Sequence, residues 1–118
     1  KSKTGVYEDK YETVESIVFS EWVEKNVPDF KESFNIMKVN IEGAEWHLFR
    51  DMEKNDMIKH FDIFCGAGHD VEKIGELSDK VDEYWKLIKK NNIVMHRFCQ
   101  DWHPERNADI KQLIKDKL

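Results

Sequence analysis

The rhythm of apolar and polar positions changes once, sharply, near the middle of the chain. Ile36, Met37, Val39 and Ile41 form an apolar run interrupted only by Lys38 and Asn40. After Glu42-Gly43 the apolar positions recur at Trp46, Phe49 and Met52. A period near two giving way to one near 3.6 across a glycine predicts a strand over 35–41, a tight turn, and a helix over 44–55. The near-continuous apolar character of the strand fits a central parallel strand covered on both faces.

The same reading extends in both directions. Residues 1–12 are polar and without period, a tail ahead of a single domain over 13–118. Thr13, Val14, Ile17, Val18 and Phe19 predict a short strand, although Val14, Ile17 and Val18 also fit a helix. Ser20 is a good N-cap for a helix over 21–25, with Glu21 and Glu24 favourable at its positive end, and Pro28 begins the turn after it. Residues 61–65 predict a second buried strand, which ends in Gly66-Ala67-Gly68. Asp70 is placed to cap a long helix whose stripe is Val71, Ile74, Leu77, Val81, Tyr84, Trp85 and Ile88, all facing the sheet, with Trp85 as an anchor. A third strand covers 93–98. A polar, aromatic loop follows, packing over the sheet edge or lining a pocket. A C-terminal helix then turns Ile110, Leu113, Ile114 and Leu118 inward.

Strands alternating with helices make this an α/β chain with mainly parallel strands. Its 118 residues allow one domain with a modest core. With 36% charged and 40% apolar residues it is a globular composition, not a disordered one. The net charge of −5 argues against a nucleic-acid partner. Two cysteines make no disulfide framework and fit a reducing compartment, so a cytoplasmic location is expected. No apolar run approaches the roughly 20 residues that span a bilayer, and no secretory signal is visible. The chain begins at Lys1, not Met, which suggests a piece of something longer.

Ligands in open α/β sheets gather at the carboxyl ends of the strands. Asn40, Glu42 and Glu45 fall there. Glu42 sits on the turn, where a side chain can point at a ligand; Glu45, in the first helical turn, also complements the helix dipole, worth about 0.3–1 kcal/mol. Gly43 permits a backbone conformation or a close approach that a side chain would block. Gly66-Ala67-Gly68 is a weak nucleotide motif, because Val71 stands where a third glycine is required. His69 follows the second strand and is a candidate base or hydrogen-bond donor. Cys65, His69, His96, Cys99 and His103 offer soft-metal ligands, at spacings that match no zinc finger. Their alternative is buried thiols and hydrogen-bonded histidines. Asn40, Glu42 and Glu45 also make an oxygen-rich set for a hard divalent cation.

Lys38-Val39-Asn40-Ile41-Glu42-Gly43-Ala44-Glu45 resembles the K-I-D-x-E-G-A-E signature of FkbM-type methyltransferases. The match is specific over 36–45, and the general layout agrees over about 14–99. The resemblance implies a Rossmann-like, three-layer methyltransferase fold and S-adenosylmethionine as cofactor. It implies methyl transfer to a hydroxyl of a sugar, glycan or other small acceptor, with a divalent metal in some related enzymes. On that basis Glu42 and His69 are the catalytic candidates on the acceptor side, and Asn40 and Gly43 the cofactor-binding ones. Two departures qualify it. The family has Asp where this chain has Asn40, which removes a charge from any metal site, and its glycine-rich cofactor loop has no counterpart. The chain therefore resembles the C-terminal half of such an enzyme, expected to pair with another chain, a missing N-terminal segment or its own copy. The alternative is a degenerate methyltransferase-like module that binds a partner without catalysis.

Overall fold

The computed structural model describes residues 12–67, 70–96 and 104–118. Three short parallel strands lie in the order β1 (Ile36–Val39), β2 (Ile63–Gly66), β3 (Met95–His96). The helices are α1 (Phe19–Asn26), α2 (Glu45–Lys54), α3 (Val81–Lys90) and α4 (Pro104–Lys117). This is a small open α/β sheet, compatible with part of a Rossmann-like fold.

The strand–turn–helix at 36–54 forms where the change of period places it. Met37 and Val39 are buried on one face of β1, and Trp46, Phe49 and Met52 on the inward side of α2. They share one core with Val23 of α1, Phe64 of β2, and Tyr84 and Leu87 of α3. Rings tie this core together: Phe49 lies 5.6 Å from Phe64 and meets Tyr84 edge-on at 6.2 Å. The opposite sheet face is covered at β2, where Ile63 and Cys65 are buried. Leu113 and Lys117 of α4 line a cleft of about 430 Å³ there with Ile63 and His96, and Lys117 Nζ donates to the Asp62 carbonyl at 2.9 Å.

Six expectations change. The central strand is β2, buried at three successive positions, and β1 is an edge whose burial alternates, with Ile36 43% exposed. Residues 12–18 form no strand; their Val14, Ile17 and Val18 are exposed, and α1 begins at Phe19. Ser20 is not the N-cap, which is Val18. Ser20 lies buried inside α1, and its N–H and Oγ both donate to the Asp51 carboxylate of α2, at 2.9 and 2.8 Å. The long helix from residue 71 is broken into 3-10 turns at Asp70–Lys73 and Gly75–Leu77 before α3 begins at Val81. Gly75 interrupts it, and Val71 and Tyr84 reach the core from separate elements. Trp85 is not a core anchor: it is 39% exposed and donates from Nε1 to Glu72 at 3.0 Å, strapping α3 to the first 3-10 turn. The third strand is shorter than expected among the described residues; 97–98 lie outside them.

Candidate active site at the carboxyl end of the first strand

The sheet delivers its chain to a tight turn directly after β1. Ala44 N–H donates to the Ile41 carbonyl at 3.3 Å, and both central residues have positive φ, Glu42 at 53° and Gly43 at 106°. Such a turn favours Gly, Asn or Asp at both positions, since a Cβ crowds the backbone when φ is positive. Glu is an unfavourable choice at the first of them. Among the described residues Asp56 and Asn92 share this conformation. Both end helices: Met57 N–H reaches back to Met52 O at 2.8 Å, and Ile93 N–H to Ile88 O at 3.1 Å. That is the ordinary left-handed helix cap. Glu42 follows a strand and has no such reason. It holds about 1–2 kcal/mol of backbone strain at the sheet edge with its side chain exposed.

Gly43 meets both parts of its expectation. It is buried, its φ is positive, and a Cβ there would overlap Ile74 Cγ1 and stand 3.2 Å from the Asp70 carbonyl. The turn is thus clasped against the segment 70–77. This places Gly43 in packing rather than at an open surface. Asn40 is exposed at the mouth of the same edge. The other catalytic candidate, His69, lies outside the described residues, as does Gly68.

Gly66 answers the nucleotide-motif question. Its φ is 116°, and a Cβ would overlap the Val39 carbonyl oxygen. Ala67 N–H then donates to that same oxygen at 2.8 Å. Gly66 lets β2 close onto β1, a purely structural reason for a glycine.

Beneath the turn lies a residue whose importance the sequence understated. Glu45, the first residue of α2, is 0% exposed, and neither carboxylate oxygen has a hydrogen-bond partner in the structure. Burial pushes its pKa up. The amides of Glu45 and Gly43 pull the other way, and the charges of Asp70 and Glu42 add to the rise. Asp70 is itself buried and pairs with Lys73 at 2.7 Å. Tyr84, fully buried, has its phenol pushed well above the ordinary range by burial, then by Glu45 and Asp70. The first-turn amides still favour a charge on Glu45, as a helix N-terminus does, but burial outweighs them. No pattern of spacing distinguishes a buried first-turn Glu from an exposed one.

The soft-metal set divides. Cys65 and His96 are register partners on adjacent strands, so their side chains share a face. Cys65 is buried, and burial raises its thiol pKa, against a smaller lowering by Lys38. His69, Cys99 and His103 lie outside the described residues. Among the described residues no three His, Cys, Asp or Glu side chains are grouped to hold a metal ion, so Glu42 and Glu45 do not make an oxygen-rich site with a third such ligand. Among the same residues no helix is long and apolar enough to cross a membrane. No protein-family model matches the chain, and neither a curated protein nor a solved structure matches it at a significant level.

Proposed function

We propose that the chain forms part of an S-adenosylmethionine-dependent O-methyltransferase, in which Glu42 contacts the hydroxyl acceptor. The observation that carries this reading is the strained turn. A non-glycine residue is held at φ 53° where a parallel strand ends, without the helix-capping reason that accounts for Asp56 and Asn92. The exposed Glu42 carboxylate can accept the acceptor's hydroxyl proton or orient the oxygen in line with a methyl donor. Asn40, on the same edge, would supply amide hydrogen bonds to either substrate. The resemblance of residues 36–45 to the FkbM signature names the donor, and an acceptor carrying sugar-like hydroxyls suits an acidic edge.

The test is methyl transfer from labelled S-adenosylmethionine to hydroxyl acceptors, by the chain alone and within its native polypeptide. Glu42→Ala is expected to lower kcat by about 10²-fold or more, the scale of a lost general base. Undiminished kcat in that variant would place the acceptor elsewhere. Calorimetric titration of the cofactor into the chain alone is expected to show no binding at ordinary affinity, since the chain has no glycine-rich loop.

A second reading rests on a different observation. The outer side of β1 carries a shallow apolar groove of about 390 Å³, lined by Phe19, Ile36, Met37, Val39, Ile41 and Leu48 among others. Unpaired strand edges accept another strand. A non-catalytic module that completes a partner's sheet would use this edge, and it would be indifferent to Glu42→Ala.

A further inference from the structure

Glu45 presents a problem of charge. A carboxylate removed from water without hydrogen bonds is costly, and the usual resolution is that it stays protonated. The amides of Glu45 and Gly43 favour the charged form, but burial and acidic neighbours outweigh them. Glu42 approaches from the turn and Asp70 from the 3-10 segment below it, both acidic. Tyr84 of α3 supplies a neutral phenol. Among the described residues the cation facing the group is Lys73, which is engaged with Asp70 at 2.7 Å. The same residues are mechanical parts of the clasp: Gly43 packs on Ile74 and the Asp70 carbonyl.

We propose that Glu45 is a neutral acid that keeps the Glu42–Gly43 turn closed on the segment 70–77, and that its ionisation opens this clasp and releases Glu42 from its strained conformation. Glu45 is then a positioning residue. It does not reach a ligand; it decides whether Glu42 is presented. The proposal concerns the turn on which the proposed site is built, but it involves no methyl donor, so failure of methyl transfer leaves it standing.

Three geometric features support a switch over simple packing. The acid is fully buried, its side-chain oxygens have no partner at hydrogen-bonding geometry, and the charges that ionisation would set against each other belong to separate elements. Moving any one of them relieves the repulsion. The 3-10 turns at Asp70–Lys73 and Gly75–Leu77 are short and able to yield.

The experiment uses the wild-type chain labelled with ¹³C at glutamate carboxyls, titrated by NMR, with Glu45→Gln to assign the signal. Amide exchange of 42–45 and 70–77 is followed over the same range and corrected for intrinsic base catalysis. The expected result is a Glu45 signal that titrates well above the exposed glutamates. Protection of both segments is lost together through that same transition, by roughly tenfold per pH unit. In Glu45→Gln, an uncharged mimic of the protonated acid, protection stays flat over that range. Titration of Glu45 alongside the exposed glutamates would overturn the proposal. So would pH-independent protection in the wild type. Both readings come from the wild-type protein, so they stand whether or not the variant folds.

Discussion

A single backbone angle separates function from stability at Glu42. Its φ of 53° costs about 1–2 kcal/mol for a residue with a Cβ and almost nothing for glycine. Glu42→Gly is therefore expected to stabilise the fold by about 1 kcal/mol in urea unfolding, while removing the carboxylate on which the proposed activity depends. A variant that is less stable would mean that the side chain holds the turn in place, and the strain argument would fail. The turn at Glu42-Gly43 was readable, because the periodicity breaks there and a glycine sits at the break; that β1 stops at Val39 rather than Ile41 was not. The burial of Glu45 was not. Its exposure is set by Asp70 and Tyr84, 25 and 39 positions further along the chain. No local pattern carries that information.

At the scale of elements, the same limit explains the start of α1. Ser20 has the right chemistry for an N-cap, but a cap needs only a local hydrogen bond, and the structure offers a stronger, distant one. Asp51 accepts from both the N–H and Oγ of Ser20, and also from Asn55 Nδ2 at 3.1 Å. One carboxylate thus fixes α1 to the last turns of α2. Asp51→Ala is expected to cost about 1.5–3 kcal/mol, the range for hydrogen bonds to a charged group. The loss should appear in chemical unfolding, with exchange protection lost first in α1. A loss confined to α2 would assign Asp51 to its own helix end. The break of the expected 71–88 helix has the opposite origin. The hydrophobic stripe held in part: Val71 and Tyr84 are buried and Leu77 and Ile88 pack half-buried against the core, whereas Trp85 is exposed and Leu87, outside the stripe, is buried. Gly75 and the polar stretch at 78–80 cannot sustain one continuous helix, and the stripe is met by three short elements instead. Periodicity reports which residues face inward. It does not report whether one element or several carry them.

For the whole molecule, the alternation of strands and helices was enough to foresee an α/β sheet of mainly parallel strands. It did not give the order of the strands. The run at 36–41 looked as apolar as the central strand does, yet β1 lies at the edge. Ile36 is 43% exposed and Ile41 40%, on the groove that Phe19 and Leu48 complete. Val14, Ile17 and Val18, leading into Phe19, are also exposed. The apolar excess of this run therefore describes a surface that the other described residues leave uncovered, and such a surface associates. The weight-average sedimentation coefficient of this chain is expected to rise with concentration. Ile36→Lys places a charge on the edge without touching the core that Met37 and Val39 enter from the other face. That variant is expected to sediment as a monomer at every concentration, with an unchanged far-ultraviolet circular dichroism spectrum. If the wild type is itself monomeric throughout, the edge is protected by its own charges, Lys38 among them, and the reading of β1 as a pairing strand fails. If association persists in the variant, the contact lies elsewhere, and the exposed residues at 14–18 become the next position to charge. Either result can be read without Glu42: Ile41 belongs to both groove and turn, but Ile36→Lys changes the far end of β1.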